Sequence, residues 1–215
     1  MKEDYTDITI VLDRSGSMSS IAQEAIKGYN EFLDAQKELP GDCTLTLSQF
    51  DHVIEDVYNG VPLEGVPPLD ENTFVPRGRT ALLDAIGTNI VATGQRLAAL
   101  DEDQRPGKVI FVILTDGYEN ASADYSNEDI NEKVQHQRDT YKWEFVFLAA
   151  DQDAIASASR VGIDSKSAYS FKSSGDSTLG ALSKMSESVL RYRSGKSRKV
   201  EFEDAGEPQS SSKSS

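Results

Sequence analysis

The 215-residue sequence predicts an α/β domain: a doubly wound, mostly parallel sheet with one antiparallel edge hairpin and helices on both faces. Three observations carry this expectation. Residues 8–12, 109–114 and 145–150 are apolar without alternation, as strands are when helices cover both faces of a parallel sheet. Between them lie segments with apolar residues at helical spacing. Finally, the strand-like segments 44–50 and 53–58 are separated only by Asp51 and His52. A parallel connection takes a dozen residues or more, so these two form a hairpin at a sheet edge.

The elements follow in chain order. Strand 8–12 ends at Asp13, and the next helix places Ile21, Ala25, Ile26, Tyr29, Phe32 and Leu33 on one face. Ser20 and Gln23 have the form of a capping box that starts it. After the hairpin, residues 59–79 hold four of the seven prolines, at 62, 67, 68 and 76, which forbids regular structure there and marks a long ordered loop of the kind that carries function. Helices are expected over 81–100, 127–141, 154–161 and 178–192, each with an apolar stripe. From Ser194 onward large apolar residues are few, and four basic side chains cancel four acidic ones. We therefore expect one domain over 1–193 and a disordered polar tail over 194–215.

Acidic residues outnumber basic ones by 36 to 22, for a net charge of −14, and all of that excess falls within 1–193. This is the wrong sign for gripping phosphate backbones or an anionic membrane, so neither nucleic acid nor membrane is an expected partner. No run approaches the roughly 20 apolar residues that cross a bilayer, and 8–12 is too short for the apolar region of an export signal. Cys43, the single cysteine, allows no internal disulfide and no thiolate cluster, which fits a reducing, cytoplasmic location.

The chemistry concentrates where the central strands end. The first runs into Asp13-Arg14-Ser15-Gly16-Ser17, and strand 109–114 runs into Thr115-Asp116-Gly117. In a sheet of order 3-2-1-4-5-6 these strands are neighbours, and their connections diverge to open a crevice at their C-terminal ends. Two carboxylates facing one crevice need a cation between them. Ser15 and Ser17 add hydroxyls from the turn, and Thr80, in Gly78-Arg79-Thr80-Ala81-Leu82, adds another from the end of the proline-rich loop. Five oxygen donors without sulfur or imidazole suit one hard divalent ion, Mg²⁺ or Mn²⁺, with water in the open positions.

At Asp13, Ser15, Ser17, Thr80 and Asp116 the sequence resembles the von Willebrand factor A (vWA) domain, the Rossmann-like integrin inserted-domain fold, over about residues 5–193. That family carries a metal-ion-dependent adhesion site made of a D-x-S-x-S turn, a threonine on a later loop and the aspartate of a T-D-G motif. The resemblance implies that Ser15, Ser17 and Thr80 ligate the ion directly, that Asp13 and Asp116 act through water, and that a partner's Asp or Glu completes the shell. Some integrin-type domains hold a second ion with acidic residues just after the serine turn. Here Met18-Ser19-Ser20 stands in that place, so one ion is expected.

Other chemistry-bearing residues read differently. His52 in the hairpin turn and His136 in a polar helix are expected on the surface, away from any Ser-His-Asp arrangement. Cys43 reads as a small buried hydrophobe. Asp151 either borders the crevice or caps the helix that begins near Asp153. Residues 119–129 read as a solvated acidic loop. Arg14 and Arg79 either contact a ligand carboxylate or offset local acidity, and the sequence does not choose between these roles. With no base placed at the crevice, the leading expectation is a non-enzymatic module in which the ion captures an acidic side chain of a partner protein. The alternatives are a metal-dependent hydrolase of a phosphate or ester and a structural assembly subunit such as a phage component. The plain layout fits a stand-alone prokaryotic or phage protein. The resemblance admits partners such as AAA+ ATPases and stress-response components without selecting one.

Overall fold

The computed structural model describes residues 1–150 and 153–203. Its strands are, in chain order, β1 (Lys2–Asp13), β2 (Cys43–Phe50), β3 (Ile54–Pro62), β4 (Pro106–Thr115), β5 (Glu144–Ala150) and β6 (Ala168–Phe171). They form one sheet of order β3-β2-β1-β4-β5-β6. The three unalternating runs are its parallel centre, with Ile10 beside Val112 and Val112 beside Val146. β3 alone runs antiparallel, paired to β2 at the edge. The hairpin follows from its short connection, and the edge position tolerates Pro62, which has no N–H to give to a further strand.

Among the described residues five α-helices cover the sheet: α1 (Ala22–Lys37), α2 (Leu82–Ala98), α3 (Asn127–Tyr141), α4 (Ala154–Arg160) and α5 (Gly175–Arg193). Side chains alternate along each strand, so the core has two layers. Ile8, Ile10 and Leu12 pack with Phe32 and Leu33 of α1 and with Leu182 and Met185 of α5. Val11, Phe111 and Ile113 pack on the other face with Ile86 and Ile90 of α2, Ile130 of α3 and Ala158 of α4. Each such side chain, fully buried, contributes about 1.5–3 kcal/mol. Because β1 and β4 pair from Thr6 and Lys108 to Leu12 and Leu114, Asp13 and the Thr115-Asp116-Gly117 turn emerge together at one end of the sheet.

Three expectations are corrected. The Ser20–Gln23 capping box does not form: residues 16–20 make a 3₁₀ turn, the Ser20 hydroxyl donates to the Ser17 carbonyl, and α1 starts after Ile21 without a side-chain cap. Regular structure enters the proline-rich segment, because β3 continues to Pro62. The packed chain also runs past residue 193. Val200 and Phe202 are buried in the core layer of α1 and α5, the Val200 N–H donates to Glu144 Oε2, and its carbonyl accepts from the Ser167 hydroxyl. These two apolar side chains sit in a polar sequence, and burying them outweighs the polar surroundings. The rest of the expected tail, 204–215, and the Asp151 assignment lie outside the described residues. Nearby, Asp153 caps α4 by accepting from the Ala156 N–H.

Candidate metal centre

The D-x-S-x-S turn is held from below by Asp13, whose carboxylate is buried. Its Oδ1 accepts the Ser15 N–H at 2.7 Å, and its Oδ2 accepts the Thr115 hydroxyl at 2.6 Å. Thr115 Oγ1 in turn accepts the Gly117 N–H at 3.2 Å. One carboxylate thus joins the turn after β1 to the turn after β4. Burial pushes the Asp13 carboxyl up to about 6, the bonds from Thr115 and Ser15 oppose that rise, and the neighbouring Asp116 charge adds to it.

Above this base the hydroxyls gather. Ser15 Oγ and Ser17 Oγ are 3.1 Å apart, and the Ser17 hydroxyl donates to Asp116 Oδ1 at 2.7 Å. Gly117 locates the point they share with Thr80. A methyl group on its Cα would stand 3.0 Å from Thr80 Oγ1, 3.5 Å from Ser17 Oγ and 3.7 Å from Ser15 Oγ. All five residues singled out in the sequence are therefore together: Asp13 underneath, and Ser15, Ser17, Thr80 and Asp116 around Gly117. This donor set fits a hard divalent ion. Adjacent ligands of an octahedron with bonds near 2.1 Å stand about 3.0 Å apart, close to the Ser15–Ser17 and Ser17–Asp116 separations. Among the described residues, no three His, Cys, Asp or Glu side chains group as a metal site, and hydroxyls supply most of the donors here.

Two further networks hold the loops, and sequence reasoning missed both. The first centres on Asp51, whose carboxylate is fully buried. Its Oδ2 accepts Arg14 Nε at 3.1 Å and Arg77 Nε at 2.9 Å, its Oδ1 accepts the Val53 N–H, and His52 Nδ1 lies 3.0 Å away. Glu55 accepts Arg14 Nη1 on Oε2 and Arg77 Nη2 on Oε1. Backbone bonds run in parallel: Arg77 N–H to Arg14 O, Ala81 N–H to Asp51 O and Gly16 N–H to Gly78 O. Gly78 is at φ +72°, and a Cβ there would lie 2.5 Å from His52 Nδ1, so glycine is required on both counts. The Asp51 carboxyl stays below its usual range, because the Arg77 and Val53 hydrogen bonds and the Arg14 and His52 charges outweigh burial, the largest single influence, which acts to raise it.

The second network joins the Thr80 loop to the loop after Gly117. Thr80 and Asn120 exchange bonds, with Thr80 N–H to Asn120 Oδ1 at 2.9 Å and Asn120 N–H to Thr80 O at 3.0 Å. Glu119 accepts the N–H groups of Leu83, Ala121 and Ser122, while Asp84 accepts those of Ala123, Asp124 and Tyr125. This corrects the expectation of a merely solvated acidic loop, since its first carboxylate is consumed in tying it to the start of α2. No local motif announces such pairs, whose partners lie about 40 positions apart.

The other assignments are settled by burial. Cys43 is buried, and burial pushes its thiol up to about 12. His136 lies against Tyr141 on an exposed face of α3, and His52 is exposed but engaged by Asp51.

No protein-family model and no curated protein sequence matches this chain, but solved structures do. Proximal thread matrix protein 1 from the mussel byssus superposes with a TM-score of 0.58 at 15% identity, over 90% of this chain and 47% of that one. The same mussel protein with a zinc-occupied metal-ion-dependent adhesion motif gives 0.57 at 16% identity, over 89% and 46%. A von Willebrand factor type A protein from Catenulispora acidiphila gives 0.58 at 12% identity, over 88% and 43%. This chain spans less than half the length of those proteins. At such identities the likeness shows the fold alone, the Rossmann-like α/β fold seen in these von Willebrand factor A structures.

Proposed function

We propose that the chain is a metal-dependent protein-binding module: one Mg²⁺ or Mn²⁺ ion, held by Ser15, Ser17, Thr80, Asp13 and Asp116, captures an Asp or Glu of a partner protein. The observation that carries this is the convergence of three hydroxyls and the Asp116 carboxylate on one point at the C-terminal ends of β1 and β4. A divalent cation there supplies a Lewis-acidic centre with open positions for a carboxylate oxygen. The chain's own residues orient the hydroxyls and hold Asp13 against Thr115 and Ser15. Support for binding rather than hydrolysis comes from the same geometry. The carboxylate that accepts the Ser17 hydroxyl is Asp116, which this reading assigns to the ion and not to a separate general base.

Calorimetric titration of Mn²⁺ tests the ion, and a pull-down from the native host in Mg²⁺ and in EDTA tests the capture. The wild type is expected to bind one ion and to gain about 2.7 kcal/mol of stability at a hundredfold excess over Kd. Thr80→Val is expected to lose both the ion and the partner. A partner retained in EDTA and by Thr80→Val would overturn the proposal, and turnover of a phosphoester abolished by Ser15→Ala would replace it with a hydrolase.

A further inference from the structure

Three arginines stand on the loops that surround the proposed metal site, and the structure separates their roles. Arg14 is buried, with Nε on Asp51 and Nη1 on Glu55 at 2.7 Å. Arg77 spends Nε on the same Asp51 oxygen and Nη2 on the second Glu55 oxygen. Both spend these nitrogens in fixing the loops, and Arg14 Nη2 is buried and has no hydrogen-bond partner among the described residues. Arg79, adjacent to Thr80, is exposed and makes no hydrogen bond or ion pair among the described residues. In a chain of net charge −14, an exposed arginine next in sequence to Thr80, with no ion-pair partner among the described residues, stands out.

The same end of the molecule is also apolar. Among the described residues five large hydrophobic side chains are exposed, and three of them lie on the loops just described: Val53 (44%), Val75 (50%) and Tyr118 (64%). Val53 is bonded to Asp51 through both its N–H and its carbonyl. Val75 stands two residues before Arg77, and Tyr118 follows Gly117. A single exposed valine is ordinary. Three exposed apolar side chains on the loops that also carry Arg79 and the proposed site have the composition of a binding surface, in which aromatic, aliphatic and arginine side chains serve as anchors.

We infer that Arg79 pairs with a second carboxylate of the captured segment while Val53, Val75 and Tyr118 receive its apolar side chain. The occupant is a protein segment with two neighbouring acidic residues next to a large hydrophobic one. The argument is charge complementarity: the ion takes the first carboxylate, and the planar fork of Arg79 matches a second one bidentately. This inference rests on the metal-site reading and adds to it the identity of what is read.

Fluorescent amidated peptides test it, one carrying Leu-Glu-Glu between glycines and one carrying Leu-Glu-Gly, titrated into the full chain with Mn²⁺ and with EDTA. The wild type with Mn²⁺ is expected to bind the two-acid peptide about tenfold tighter than the one-acid peptide. Arg79→Met is expected to erase that preference, Arg79→Lys to restore part of it, and Tyr118→Ala to weaken both peptides several-fold. Calorimetry with Mn²⁺ alone runs beside each titration. Failure of the wild type to bind Mn²⁺ would sink the metal reading itself. Normal Mn²⁺ binding with the two-acid preference intact in Arg79→Met would overturn this inference alone, as would displacement of the peptide by inorganic phosphate as effective as displacement by a dicarboxylate.

Discussion

Gly117 borders the point near which the Ser15, Ser17 and Thr80 hydroxyls gather, so a methyl group added there would enter the site. Its φ is outside the left-handed region, and alanine fits the backbone, but the new Cβ would press on Thr80 Oγ1 at 3.0 Å. Gly117→Ala is expected to change the metal-free stability by less than about 1 kcal/mol while weakening Mn²⁺ at least tenfold, about 1.4 kcal/mol. Calorimetry and a metal-free melt separate the two effects, and an undiminished Mn²⁺ affinity would remove Gly117 from the site. Asp116→Ala makes the complementary test. The Asp116 charge helps burial raise the Asp13 carboxyl, so above pH 6, where Asp13 ionises, its removal relieves repulsion. The metal-free melting temperature should hold or rise slightly at pH 7.5, and the Mn²⁺-dependent rise should vanish. A persistent rise would reject Asp116 as a contributor.

Loops, rather than single side chains, decide whether these oxygens meet, and Asp51 is the joint between the serine turn, the hairpin and the Thr80 loop. Truncating a buried, hydrogen-bonded ionic partner costs 2–5 kcal/mol, and half-exposed Arg77 places Asp51→Ala near the low end, about 2–3 kcal/mol. Urea unfolding checks the stability. Mn²⁺ affinity checks the positioning, and it should fall as well. None of this joint was legible in the sequence, because Asp51, Arg14 and Arg77 lie 26 and 37 positions apart in segments without periodicity. By contrast β1, β4 and β5 were legible, since burial on both faces leaves continuous apolar runs, and so was the meeting of Asp13, Ser15, Ser17 and Asp116, which sit where β1 and β4 end, whereas Thr80 comes from the end of the proline-rich loop. β6 has only four residues, too few to show a pattern, and Val200 and Phe202 were hidden by polar neighbours. Glu144 belongs to that hidden contact. Burial raises its carboxyl, against the Val200 bond and Lys199, with Glu201 and Asp164 adding to the rise. A carboxyl raised in the folded state binds protons that the unfolded chain has released, so stability falls as pH rises above the ordinary carboxylate range. Glu144→Gln keeps an acceptor for the Val200 N–H and removes the charge. It should melt higher than the wild type at pH 7.5 and equally at pH 4, and equal melting at both would assign Glu144 no such role.

Across the whole molecule the net charge of −14 acts at a range that the local contacts do not. On the net charge alone, an acidic segment approaching the Arg79 end is expected to meet repulsion from the body at long range and attraction only at close range. At about 0.01 M ionic strength the Debye length is about 30 Å, comparable to the domain, and at about 0.15 M it is about 8 Å. Added salt therefore screens the body's repulsion before it weakens contacts at the site. A bare two-acid peptide should associate faster as salt rises across this range. A peptide whose acids are flanked by lysines should associate more slowly, because its long-range interaction with the body is attractive. Stopped-flow association with Mn²⁺ present distinguishes these signs. A natural partner that has adapted to this domain should behave as the lysine-flanked peptide does, with basic residues outside the contact and acidic ones within it. On-rates that fall with salt for both peptides would show that the field at the binding end is positive despite the net charge, and that Arg79 and the ion outweigh the rest of the body at long range.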